Sequence, residues 1–189
     1  MKYMGDEDFW DTLFERRGEK RLSPEAALIK NLNLLNKGSI LDLACGDGRN
    51  ALYLLENNFH VTGVDFSQSG LDRLKHFAAD FGDQLGLEQI NLSEDNCLAP
   101  LGRFDNILIC HYRVTAQNLK TLSSHLNEKG ILLLTGFGDQ HVCDARISED
   151  DLIHQGDVDI LLESFELISE EHVSDERGYF VTFVFRKKD

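Results

Sequence analysis

Leu41-Asp42-Leu43-Ala44-Cys45-Gly46-Asp47-Gly48-Arg49-Asn50 decides the fold of this chain. The apolar run Ser39–Ala44 reads as a buried strand, and residues 49–57, with Ala51, Leu52, Leu54 and Leu55, read as a helix. Between them, Gly46 and Gly48 allow a tight turn that a ligand can approach without meeting a Cβ. The helix N-terminus beyond the turn offers free N–H groups to a polar or anionic ligand group.

Working outward, His60–Asp65 is a second strand, and Asp65 closes it 19 residues after Gly46. An acid at that place can accept the hydroxyls of a ribose. Ser67 or Ser69 would cap the next helix, with Leu71, Leu74, Phe77 and Ala78 on one face. A strand near residues 88–92, a buried strand over Phe104–Cys110, a helix marked by Leu119, Leu122 and Leu126, and a strand over Ile131–Thr135 follow. A last helix over 157–164 and strands over 165–172 and 179–186, around a turn at 174–178, end the chain as a hairpin. Ahead of all this, residues 6–17 read as a helix bearing Phe9, Trp10, Leu13 and Phe14, and Ser23-Pro24 as the start of another. The pattern is an α/β, Rossmann-like sheet of seven mostly parallel strands flanked by helices and closed by an antiparallel hairpin. One domain is expected over 1–189, an N-terminal helical cap (1–36) on a core (37–189). Such sheets bind ligands at the carboxyl ends of their strands.

With 42% apolar residues the chain can bury a core, and its formal charge of −14 repels nucleic-acid phosphates and anionic lipids. The short basic run Arg16, Arg17, Lys20 and Arg21 is interrupted by acids and reads as a solvated face. No nucleic-acid or membrane partner is expected. Met1–Trp10 carries three acids and no apolar run, unlike a signal peptide, and no stretch reaches the length of a membrane span. Cys45, Cys97, Cys110 and Cys143 are scattered without metal-ligand spacing, so no metal site and a cytoplasmic protein with reduced thiols are expected.

Two ligand classes compete for the glycine turn. Gly46-Asp-Gly48-Arg-Asn-Ala51 satisfies the dinucleotide fingerprint G-x-G-x-x-A, which would mean an NAD(P)-dependent oxidoreductase. Asp47 would repel a diphosphate, however, and a zwitterionic methionine tail tolerates an acid nearby. The run Leu41–Asn50 with Val61-Thr62-Gly63-Val64-Asp65-Phe66-Ser67 resembles the first two motifs of class I S-adenosylmethionine-dependent methyltransferases. It is most similar to the small branch of tellurite-resistance and thiopurine methyltransferases, and the likeness extends over about residues 8–186 through Gly102–Ile109 and Gly130–Thr135.

The resemblance implies S-adenosylmethionine as cofactor. It puts Asp42 beside the methionine amino group, and Ala44, Cys45, Gly46 and Gly48, with Asn50 ending the motif, against methionine and ribose. It puts Asp65 on the ribose hydroxyls, and Phe66, with Ser67 after it, at adenine. Asn91 and Leu92 fall where relatives contact the adenine amine, with Ser93 or Asp95 as alternatives, and Cys110 and His111 face the methionine portion. His111-Tyr112-Arg113-Val114 matches no substrate-defining motif.

A sulfonium already activates its methyl group, so alignment for in-line displacement supplies most of the catalysis and no catalytic motif is required. His111 and Tyr112, and Asp139 with His141 in the loop after Thr135, are the groups expected nearest the transferred methyl. Trp10 and Phe14 are expected either to cover the cofactor or to staple their helix to the sheet. The short span between the fifth strand and the last helix favours a small-molecule acceptor. A module that binds the cofactor without turnover is the other reading.

Overall fold

The computed structural model describes residues 6–189; the reading of Met1–Gly5 lies outside them. In chain order the elements are α1 (Glu7–Arg16), α2 (Ala26–Asn31), β1 (Ser39–Leu43), α3 (Arg49–Glu56), β2 (His60–Asp65), α4 (Gln68–Phe77) and β3 (Leu85–Gln89). Then come β4 (Phe104–Cys110), α5 (Ala116–Thr121), β5 (Leu126–Phe137), α6 (Gln155–Leu162), β6 (Phe165–Asp175) and β7 (Gly178–Lys187).

The seven strands form one sheet in the order β3-β2-β1-β4-β5-β7-β6. Strands β1 to β5 pair in parallel, whereas β7 runs antiparallel between β5 and β6. This is the expected Rossmann-like sheet closed by a hairpin. Runs such as Ile107-Leu108-Ile109 are apolar at every position because both faces are covered. Alternate residues feed two cores: Leu41, Leu43, Ile107, Ile109, Leu132 and Leu134 one, and Ile40, Leu108, Ile131 and Leu133 the other. Strand order reverses between β1 and β4, and that switch point sets the functional site.

Local signals hold in several places. Asp6 caps α1 by accepting the Phe9 N–H at 3.1 Å, and Ser67 caps α4 by accepting the Gly70 N–H at 3.0 Å. Three expectations are corrected. The second helix does not start at Ser23-Pro24; its N-cap is Glu25, still extended at φ −64° and ψ 136°. The Glu25 N–H donates to Asn50 Oδ1 at 2.9 Å, which holds the chain extended to that point. The third strand spans Leu85–Gln89 rather than 88–92, because its register against β2 ends at the pair Asp65–Gln89. Leu126 belongs to no helix: it opens β5 opposite Phe104, and an irregularity in β4 resets the register before Ile131 pairs with Asn106.

Among the described residues no helix is long and apolar enough to cross a membrane.

Candidate active site

The β1–α3 turn has the backbone the sequence demands. Gly46 and Gly48 sit at φ 55° and 85°. A Cβ on Gly48 would lie 2.3 Å from Leu74 Cδ1, and one on Gly46 would lie 3.0 Å from Phe14 Cζ. The glycines thus let α4 and α1 press onto the turn as well as letting it bend. Ala44 and His111 also lie in the left-handed region, at φ 58° and 56°. They follow β1 and β4, on the two sides of the switch point, and each costs about 1–3 kcal/mol that the surrounding fold must offset.

A cavity of about 550 Å³ opens over this turn, within the range that encloses a cofactor-sized ligand. Ala44, Cys45, Gly46, Asn50, Asp65, Phe66, Asn91, Leu92, Cys110, His111 and Tyr112 all border it. Phe9, Trp10, Leu13 and Phe14 of α1 form the opposite wall. Trp10 stacks on Phe14 with ring centroids 5.5 Å apart. Helix α1 is tied down at its polar edge, where Asp11 accepts the Ser69 N–H at 3.2 Å and the Ser67 hydroxyl.

Asp65 is nearly buried, and its two oxygens accept the N–H groups of Gly46 at 2.7 Å and Ser67 at 2.9 Å. Burial raises its carboxyl above the usual range, against the pull of those amides. The amides fix the carboxylate at the cavity wall, and each oxygen retains a lone pair.

Five expected site residues stand elsewhere. Asp42 is 1% exposed and lies behind the turn rather than on the cavity wall; its Oδ2 has no hydrogen-bond partner. Burial and the nearby Asp65 push its carboxyl up to about 8. Gly48 and Ser67 also lie behind the wall, as the caps of α3 and α4. Asp139 is exposed on the loop after β5 and does not border the cavity. His141 sits behind Phe137, ring centroids 4.3 Å apart, and its Nδ1 accepts the Tyr179 N–H.

Asp47 is not the free negative charge that the sequence suggests. Arg17 and Arg73 pair with its carboxylate at 2.6 and 3.3 Å. Its repulsion of a diphosphate is therefore largely cancelled, and the case against a dinucleotide rests on other ground.

One group went unread in the sequence. Glu25, 6% exposed, also borders the cavity, with His111 Nε2 2.9 Å and Arg49 2.6 Å from its Oε1. Arg177, from the β6–β7 turn, lies 3.4 Å from both its oxygens. Burial works against the charge, but His111, Arg49 and Arg177 outweigh it and hold the carboxyl at about 2. The only available signal was a carboxylate after Pro24, which reads equally well as an ordinary first-turn acid. Burial pushes Tyr112 up to about 12 and the Cys45 and Cys110 thiols well above their usual value. All three stay protonated near neutral pH.

Residues 40–130 match the family described as "Methyltransferase domain". That segment belongs to the family, and the fold around it is that of the class I S-adenosylmethionine-dependent methyltransferases, as the glycine turn suggested. The chain is 30% identical over 159 residues to a putative methyltransferase, YqeM, of Bacillus subtilis, covering 79% of this chain and 62% of that protein. It spans between 40% and 62% of the length of the curated relatives it matches. The crystal structure of TehB from Haemophilus influenzae superposes with a TM-score of 0.73 at 18% identity, covering 95% of this chain and 67% of that one. The 1,6-didemethyltoxoflavin-N1-methyltransferase of Burkholderia thailandensis, solved with bound 1,6-didemethyltoxoflavin and S-adenosylhomocysteine, gives 0.66 at 20% identity, covering 87% and 77%.

Proposed function

We propose that this chain transfers the methyl group of S-adenosylmethionine to a small-molecule acceptor. The observation that carries the reading is Asp65, a carboxylate fixed by two backbone amides at the wall of a cavity over the β1–α3 turn. Its free lone pairs suit the two hydroxyls of a ribose. The Ala44-Cys45-Gly46 turn and Asn50 would lie along the methionine and ribose, with Phe66, Asn91 and Leu92 around adenine and Cys110 and His111 at the methionine end. Asp42, behind the turn, would act on its shape and charge rather than by contact. Gly48 and Ser67 would do the same through the helices they cap, and Asp139 has no part.

Bound S-adenosylmethionine supplies a methyl group made electrophilic by its sulfonium. The chain's share is alignment and dryness. Phe14 and Trp10 would close the cavity against water, and the fixed turn would hold the bound cofactor in one place, an alignment effect that can lower a barrier by about 7–11 kcal/mol. The limited volume and the covering helix support a small acceptor over a polymer, and the charge of −14 disfavours a nucleic acid. The alternative of a binding module without turnover is separated by one assay. The full chain, incubated with methyl-labelled S-adenosylmethionine and a panel of small hydroxyl, amine and thiol compounds, should label at least one of them. Tight binding of the cofactor with no labelled product would favour the module instead.

A further inference from the structure

We propose that the acceptor is an aryl hydroxyl compound whose proton is taken by His111, with Glu25 as the residue that positions His111. This rests on the methyl-transfer reading above.

Glu25 is anchored from several sides. Its backbone N–H is held by Asn50, and its carboxylate is shared by His111, Arg49 and Arg177. Held as a carboxylate, it can only accept, so the His111 nitrogen facing it, Nε2, carries a proton. In the neutral ring Nδ1 is then the acceptor. No described residue hydrogen-bonds to Nδ1, and the ring borders the cavity. The backbone at φ 56° and the N–H donated to the Thr135 carbonyl at 2.8 Å fix where the ring projects from β4. The arrangement is a carboxylate–imidazole pair of the kind that orients a general base. Tyr112 and Cys110 keep their own protons and do not compete for the role.

The surroundings of His111 select the acceptor. Phe180 stands perpendicular to the imidazole at 5.5 Å and Phe137 lies at 5.8 Å, the two phenyl rings being 4.7 Å apart. Arg177 lies over the Phe180 ring at 4.8 Å. This apolar, flat-sided wall suits a planar ring. The charged groups around His111 are Glu25 ahead of α2, Arg49 of α3 and Arg177 of the hairpin turn, while β5 and β7 present the uncharged Phe137 and Phe180. The guanidiniums of Arg49 and Arg177 are balanced by the carboxylates of Glu25 and Asp175, so an oxyanion forming there meets no net negative charge. In the step, His111 Nδ1 takes the hydroxyl proton and the aryl oxygen forms its bond to the methyl carbon. The electron pair of the broken carbon–sulfur bond stays on sulfur, and His111 later returns the proton to water.

The test uses the full chain, S-adenosylmethionine, and two probes assayed at about pH 8: 4-methylphenol, which is protonated there, and 4-nitrophenol, which is largely ionised there. Wild type should methylate both. His111→Asn should lower turnover of 4-methylphenol by about 10²–10⁴-fold, but that of 4-nitrophenol by less than about 10-fold, because an ionised acceptor needs no base. Glu25→Gln should lower kcat/KM for 4-methylphenol more than for 4-nitrophenol, since a ring without its carboxylate partner is no longer held in the tautomer that leaves Nδ1 free to accept. Should that variant not fold, ¹⁵N shifts of wild-type His111 must still show the proton on Nε2; a proton on Nδ1 overturns the proposal. So does equal loss on both phenols, or a wild type that binds S-adenosylhomocysteine yet methylates neither. Failure to bind S-adenosylhomocysteine would instead remove the methyl-transfer reading and this proposal with it.

Discussion

Two parts of the cavity wall are built by different means. Around Asp65 the pieces are nearly contiguous: one ten-residue turn and the end of the next strand, joined by backbone hydrogen bonds from Gly46 and Ser67. Around Glu25, Arg49 and Asn50 of that same stretch meet side chains from separated segments, and Arg177 lies 152 residues along the chain from the carboxylate it meets. The first part is a demand on the backbone. The second is a meeting of side chains that only the finished sheet brings together. Backbone demands leave glycines and caps in the sequence, whereas side-chain convergence leaves ordinary-looking charges.

Substitutions can break this contrast, the largest effect first. Phe14 is 4% exposed and packs on Gly46 and Gly70, so it belongs to the first part as a staple. Phe14→Ala should cost about 3–5 kcal/mol of unfolding free energy in urea titration. Weakened cofactor binding at unchanged stability would instead make α1 a mobile cover. In the second part, the Glu25 carboxyl lies at about 2 against an ordinary 4.5. A depressed value stabilises the fold above the ordinary value, and that stabilisation fades as pH falls toward 2. The stability gap between wild type and Glu25→Gln should therefore be larger near neutral pH than in acid, and close as pH falls toward 2. A gap that does not change with pH would mean that the carboxylate is not what holds the cluster.

Asp42 behaves in the opposite sense. Raised to about 8 from an ordinary 3.8, it favours the folded state at low pH and opposes it progressively as pH rises to 8. Asp42→Asn should stabilise the protein by about 1–3 kcal/mol at pH 8, with a smaller gain at pH 5. A loss at pH 8 in thermal melts would mean that the charged form is used in the fold. Arg177→Ala should do least to stability, under about 1 kcal/mol, because the guanidinium is half exposed and solvent screens it. A loss of several kcal/mol would show the second part to belong to the core rather than to be an addition to it.

The same contrast explains how far the sequence could be read. The buried parallel strands and the hairpin followed from apolar runs at Ile107–Ile109 and Ile131–Leu134 and from turn residues near 174–178, all short-range signals. Gly46, Gly48 and Asp65 were legible because a tight turn, and an acid that accepts its amide, are demands that the backbone makes locally. The third strand was misplaced by three residues, since an edge strand such as Leu85–Gln89 is paired on one side only and lacks a continuous apolar run. Asp139 was drawn in by its glycine-rich loop, but the exposed loop carries it away from the cavity. Glu25 was missed because its burial depends on Arg49, His111 and Arg177 arriving together, which no spacing announces.

The account stands or falls on the turn at Gly46 and the acid at Asp65. Calorimetric titration of S-adenosylhomocysteine into wild type and Asp65→Ala, with folding checked by circular dichroism, addresses both at once. The account predicts micromolar binding by the wild type and a loss of about 100-fold in the variant, the worth of charge-assisted hydrogen bonds to two hydroxyls. Folded wild-type protein with no heat of binding, or a variant that binds as tightly as wild type, would contradict it.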